Sequence, residues 1–175
     1  MSKLVAYFSA SGSTVKLAGT LAAAADATLY EIRPAVAYER RDLNWMDKKA
    51  RSTVEMQDPN CRPALADTDA KVAEADVIFL GFPIWWYREP SIIDTFLEAY
   101  DLTGKTVVPF ATSGGSGMGD TASRMREIAG EGVKVLDGAR LAAGVTTEKL
   151  EAWVEGLSLY RSRGHPTLRE LILPT

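Results

Sequence analysis

At 175 residues, with 46% hydrophobic and 25% charged side chains, the chain has room for one ordinary soluble domain that buries its own core. A net charge of −3 argues against a nucleic-acid partner, which needs a concentrated basic face. One histidine, His165, and one cysteine, Cys61, leave little for a metal centre, a Cys–His catalytic pair or a disulfide.

The start of the chain, Met1-Ser2-Lys3, runs directly into an apolar strand without a signal-peptide layout, and no apolar run reaches membrane-spanning length. These features lead us to expect a cytoplasmic protein that does not enter a membrane.

In chain order, Lys3–Ser9 reads as a short buried strand. A helix follows, with Val15, Ala18, Leu21, Ala22 and Ala25 assigned to its inner face. Thr28–Arg33 reads as a second strand, stopped by Pro34. Residues 37–62 are too long for an ordinary connection. Their Leu43, Trp45, Met46 and Val54, in a charged background, suggest a partly helical flap near a site. The Arg40-Arg41 and Lys48–Arg51 groups are broken up by Glu39, Asp42 and Asp47, which reads as a solvated face. Cys61, beside Pro63, reads as structural or incidental.

Residues 76–82 form the clearest strand, and their continuous apolar character implies burial on both faces of a parallel sheet. Pro90 opens a helix with Ile92, Ile93, Phe96, Leu97 and Tyr100 at helical intervals. Lys105–Ala111 reads as a fourth strand despite Pro109. Met118, Ala122, Met125 and Ala129 mark a helix face, Gly132–Leu136 a short fifth strand resuming at 139–141. A last body helix starts near Thr147 and presents Leu150, Trp153, Val154 and Leu157. Strands alternating with helices imply an α/β fold around a parallel sheet, because parallel neighbours need crossover helices.

Ligands in such folds bind beyond the carboxyl ends of the strands, where strand order reverses. Three loops there have unusual composition. Ser9-Ala10-Ser11-Gly12-Ser13-Thr14 offers four hydroxyls and backbone N–H groups at a helix N-terminus without a cation. That set suits a terminal phosphate monoester better than a triphosphate with magnesium, although a simple helix cap would explain one of the hydroxyls. After the third strand come Pro83, Ile84, Trp85, Trp86 and Tyr87. Three consecutive aromatics cannot all enter one core, so one is expected to face the crevice, where a flat ligand can stack. Packing against a helix or an oligomer contact is the alternative. After the fourth strand, Thr112, Ser113, Gly114, Gly115, Ser116 and Gly117 permit close backbone approach. Together the loops describe a pocket for a flat heterocycle carrying one phosphate.

On these residues the chain resembles the flavodoxin family, closest to its short bacterial members, over roughly residues 3–157. Tyr7-Phe8-Ser9-x-Ser11-Gly12-x-Thr14 looks like the family's phosphate loop. Phe79–Trp86 and Thr112–Gly117 look like its two loops around the flavin ring. The resemblance implies a doubly wound five-stranded parallel sheet of order 2-1-3-4-5 with helices on both faces, the topology for which flavodoxin is a standard example. It also implies FMN as cofactor. Ser9, Ser11, Gly12, Ser13 and Thr14 would hold the phosphate, Pro83–Tyr87 would line one side of the ring, and Thr112–Gly117 the other. Asparagine is frequent in the family where this chain has Ser13, and the chain is less acidic than the well-known electron carriers.

The expected role is an electron carrier between redox partner proteins or to a small-molecule acceptor, as a monomer or weak homodimer. The alternative is an FMN-dependent NAD(P)H:quinone-type reductase, which would need a second phosphate nest that the sequence does not display. A receiver-type signalling domain would need acidic residues where Ser9 and Gly81 stand. Beyond the resemblance, Thr167 to Glu170 carries a capping-box spacing, so the 158–175 tail is expected either to dock as a short helix or to fray.

Overall fold

The computed structural model describes residues 1–113, 117–157 and Leu159. The alternation expected from the sequence is present: β1 Lys3–Tyr7, α1 Ser13–Ala25, β2 Thr28–Glu31, α2 Arg51–Gln57, β3 Val77–Pro83, α3 Ser91–Ala99, β4 Thr106–Thr112, α4 Thr121–Ala129, β5 Lys134–Val135, β6 Ala139–Arg140 and α5 Thr147–Gly156. The sheet runs in the order β2-β1-β3-β4-β5 with every pairing parallel, and β6 also joins β4. Among the described residues no helix is long and apolar enough to cross a membrane.

Strand alternation sorts the core into two layers, since successive side chains point to opposite faces. Leu4, Ala6, Phe8, Ile78, Leu80 and Phe82 meet Ile92, Ile93, Phe96 and Met125 of α3 and α4. Val5, Tyr7, Val77, Phe79, Val108 and Phe110 meet Leu17, Leu21, Leu150 and Val154 of α1 and α5. Leu159 is buried in this second layer, so the core reaches two residues past the expected boundary at 157. The rest of the tail, including the Thr167–Glu170 segment, lies outside the described residues.

One inner-face assignment is corrected by the structure. Val15 is exposed on α1, and Thr14 and Leu17 take the inner face, because Leu17, Leu21 and Ala25 form the row that meets the sheet. The fifth strand is split into β5 and β6, in line with the resumption expected at 139–141. Leu136 still donates to Val107 and Leu141 to Ala111, but the chain leaves the ladder beside Pro109. There Gly138 has φ +70°, and a Cβ would stand 1.9 Å from the Pro109 carbonyl oxygen, so only glycine passes.

Behind the sheet's carboxyl end lies a buried ionic knot. Glu89 and Asp94 are both fully buried. Arg124 spans them, with Nε 2.9 Å from Glu89 Oε1 and Nη2 2.9 Å from Asp94 Oδ2. Arg88 and Arg62 approach the same Asp94 oxygen at 3.6 and 3.7 Å. Arg88 also donates to the Met56 carbonyl of α2 and to Ser91 Oγ of α3. The knot therefore holds α2, α3, α4 and the segment after β3 together. Among the described residues Glu89 Oε2 and Asp94 Oδ1 find no donor, a lack that a proton on the Glu89 carboxyl facing Asp94 would make good. Burial, then the facing Asp94 carboxyl, pushes the Glu89 acid up to about 8.

Because the folded chain holds this proton more tightly than the unfolded one, the Glu89 contribution to stability falls as pH rises from the ordinary carboxyl range toward about 8, then levels off. Glu89→Gln keeps an acceptor for Arg124 and supplies a permanent donor to Asp94. Thermal melts from pH 5 to 9 are expected to show a flatter profile for the variant and a higher melting temperature than wild type near pH 8. Parallel profiles would show that the pair shares no proton.

Candidate functional site

The hydroxyl loop leaves β1 and turns into α1 through Gly12, whose φ of +93° puts it in the left-handed region. Ser9 Oγ accepts from the Gly12 and Val15 N–H groups at 3.2 and 3.3 Å, taking the place of an anion at the helix start. Among the described residues, the amides of Ser11, Ser13 and Thr14 donate to no other group. Ser11 and Ser13 are exposed at the rim. Thr14 is buried, and its hydroxyl meets that of Thr112 at 2.9 Å, tying the first loop to the end of β4. Two hydroxyls so paired use one proton between them and leave the second for another acceptor.

The segment after β3 forms a tight reversal. Trp85 and Arg88 exchange backbone hydrogen bonds of 3.0 and 3.2 Å, and the residues between them, Trp86 and Tyr87, have φ of +46° and +65°. Positive φ at both central positions is the arrangement that favours Asn-Gly. Bulky side chains there cost about 1–2 kcal/mol each. Neighbouring elements impose the shape: Ile84 N–H donates to the Thr112 carbonyl, and Asp120 N–H to the Tyr87 carbonyl. Gly119 makes the second contact possible, since a Cβ there would lie 2.0 Å from the Tyr87 oxygen.

The three aromatics divide as the sequence argument requires. Trp85 packs edge-on against Phe8 and Tyr38 at 5.7 and 5.6 Å, while Trp86 and Tyr87 are exposed. A cavity of about 320 Å³ lies between the loops, lined by Ser11, Ser13, Pro83, Ile84, Trp85, Thr112 and Ser113, and by the 141–143 segment. Ser9, Gly12 and Thr14 do not line it, and neither do Trp86 and Tyr87; Ser9 lines a separate cavity with Phe8, Ala10 and Arg33. Gly117 is exposed at the far side of the third loop. Gly114, Gly115 and Ser116 lie outside the described residues.

Leu141, Ala142 and Ala143 escaped sequence reasoning, because small apolar residues after a broken strand carry no compositional signal. The 37–62 segment is partly helical, with a short 3-10 turn at Arg40–Leu43 followed by α2. Its Leu43 and Trp45 line a second cavity against the aromatic turn. Arg51 belongs to its fabric rather than to open solvent, bridging Glu55 and lying 3.8 Å over the Tyr38 ring. Burial, Glu55 and Asp58 hold the Cys61 thiol above its ordinary range, so it has little thiolate character.

Among the described residues, the lining of the cavity between the loops brings hydroxyl and amide groups beside apolar side chains and includes no lysine or arginine. A search of curated proteins finds no match. A protein of Bacteroides eggerthii assigned as a flavoprotein is 42% identical, superimposes with a TM-score of 0.85, and the match covers 90% of this chain and 98% of that one. One from Bacteroides uniformis, similarly assigned, is 45% identical with a TM-score of 0.83, covering 88% and 97%. A flavoprotein of Lactobacillus acidophilus in complex with FMN shares the fold at 23% identity and a TM-score of 0.68, covering 87% and 98%. The flavodoxin sequence profile matches residues 2–157, and the chain belongs to the flavodoxin family.

Proposed function

We propose that this chain binds one FMN at the carboxyl end of its sheet and works as an electron carrier between partner proteins. The observation that carries the reading is the cation-free hydroxyl cradle set beside two aromatics held in a costly left-handed turn. Strain of this kind persists where the side chains have work to do. In this reading Ser9, Ser11, Gly12, Ser13 and Thr14 hold the phosphate through hydroxyls and helix-start amides. Pro83, Ile84, Trp85, Trp86 and Tyr87 line one side of the ring. Thr112, Ser113 and Gly117, with Gly114, Gly115 and Ser116, form the other. Bound FMN supplies one- and two-electron chemistry, and the chain positions and tunes it.

Trp45, Met46, Trp86 and Tyr87 are large apolar side chains exposed around the site, which supports docking of a redox partner on a monomer or weak homodimer. A lone cysteine with little thiolate character fits a reducing, cytoplasmic setting. The second reading is an FMN-dependent NAD(P)H:quinone-type reductase, favoured by the apolar cavity beside the turn.

Stopped-flow mixing of FMN-loaded protein with NADH or NADPH separates the two readings. A carrier keeps its oxidised flavin spectrum until a reductase protein is added. Rapid bleaching by the nucleotide alone would overturn the carrier role in favour of the reductase.

The turn gives a further prediction. Tyr87→Gly removes an exposed side chain from a left-handed position, so the empty protein is expected to gain about 1 kcal/mol of unfolding free energy. The same change is expected to shift the potential of the bound flavin. Equilibrium urea unfolding and redox titration check the two effects, and lower stability with an unchanged potential would remove the functional reason for the strain.

A further inference from the structure

Trp86 and Tyr87 are held in their left-handed turn at two points, and both lead to one buried acid. At the first, Arg88 closes the turn by its backbone bonds with Trp85. Its guanidinium donates to the Glu89 carbonyl oxygen at 3.0 Å, to the Met56 carbonyl and to Ser91 Oγ. At the second, the Tyr87 carbonyl accepts from Asp120 N–H, and the Asp120 carbonyl accepts from Arg124 N–H at the first turn of α4. The Arg124 side chain then reaches Glu89 Oε1 and Asp94 Oδ2. Glu89 is thus tied to the turn through Arg88 and again through α4.

The groups around Glu89 leave its own charge state open. The Asp94 carboxyl comes from α3, the Arg124 guanidinium from α4, and Arg88 precedes it in the chain. Arg62 also approaches Asp94 and pairs with Glu98 of α3. Glu89 and Asp94 are closed to solvent, and among the described residues Glu89 Oε2 and Asp94 Oδ1 have no donor. A proton on Glu89 turns the facing pair into a hydrogen bond. Without it, two carboxylates confront each other where no water screens them. Asp94 is fixed within α3, whereas Glu89 lies between the turn and that helix. Repulsion is therefore relieved by moving Glu89, and Arg88 with it.

We infer that Glu89 is a positioning residue for the aromatic turn: with its proton it holds Trp86 and Tyr87 in place, and on ionising it releases them. The inference rests on the FMN reading for its consequence, since in that reading these side chains line the ring. A held turn binds FMN better, so the proton favours FMN and, by linkage, FMN favours the proton. Burial and the facing Asp94 hold the acid at about 8, so the change of state falls in the neutral to mildly alkaline range.

The test is an NMR titration of the empty full-length chain, labelled with 15N and 13C, from mildly acidic to alkaline pH. The Glu89 carboxyl carbon reports its own titration, and the Trp86, Tyr87 and Arg88 amides report the turn. All four signals are expected to move together with a midpoint near the about 8 of Glu89. In Glu89→Gln the three amides should stay still, while groups elsewhere, His165 among them, titrate as before. By calorimetry, wild-type affinity for FMN should fall at least about fivefold, relative to the variant, across the same midpoint.

A Glu89 carboxyl that titrates in the ordinary range overturns the inference, and so do turn amides that stay still while it titrates. Both results are read on wild type, even where the variant does not fold. Equal pH dependence of FMN affinity in the two proteins also overturns it. Failure of the FMN reading shows separately, as wild-type protein that takes up no FMN at any pH while its amide titration is still read on the empty chain.

Discussion

Trp86 and Tyr87 sit side by side in backbone geometry that glycine and asparagine prefer, and hydrogen bonds from neighbouring elements hold them there. Pro83 and Ile84 are locked to the end of β4 by pairing with Thr112. The Tyr87 carbonyl is held by Asp120 at a position where Gly119 leaves room for it. Arg88, closing the turn, reaches down to α2 and into the buried carboxyl knot. A turn over-determined from three sides can present two large aromatics to solvent without relaxing, which a free loop cannot do.

The electrostatics of the site are as informative as its shape. Among the described residues no lysine or arginine lines the cradle cavity, and the guanidiniums of Arg51, Arg62, Arg88 and Arg124 are engaged in ion pairs elsewhere. They are held by Glu55, Glu98, Glu89 and Asp94 and serve the framework. An anion in the cradle would rest on N–H and O–H dipoles alone. Such a site favours a singly substituted phosphate with most of its oxygens free to accept hydrogen bonds. It gives no counter-charge for a polyphosphate. The slot beside it is apolar, and the Thr14–Thr112 pair joins the polar and apolar halves into one concavity.

Much of this was legible in the sequence because it rests on short-range rules. The short apolar runs at 4–8 and 77–83 read as strands buried on both faces, and such burial fits parallel order and crossover helices. Serine, threonine and glycine between β1 and α1 mark a helix start with spare donors. What stayed hidden depends on tertiary contact. Nothing local in Trp85-Trp86-Tyr87-Arg88 announces left-handed conformation, since its sequence lacks the usual asparagine and glycine. The need for glycine at 138, within the interruption of the fifth strand, depends on Pro109 one strand away. The knot joins Arg62, Arg88, Glu89, Asp94 and Arg124 from four segments, and charged residues spread so widely read as surface until the fold brings them inside.

In the proposed function the cradle at the end of β1 recognises a phosphate monoester joined to a flat ring. Isothermal titration of the empty protein with FMN and, separately, riboflavin isolates the phosphate, since the two share everything else. The account predicts one FMN per chain, bound at least about a hundredfold more tightly than riboflavin, as two charge-assisted hydrogen bonds would supply. Riboflavin binding as tightly as FMN would contradict it.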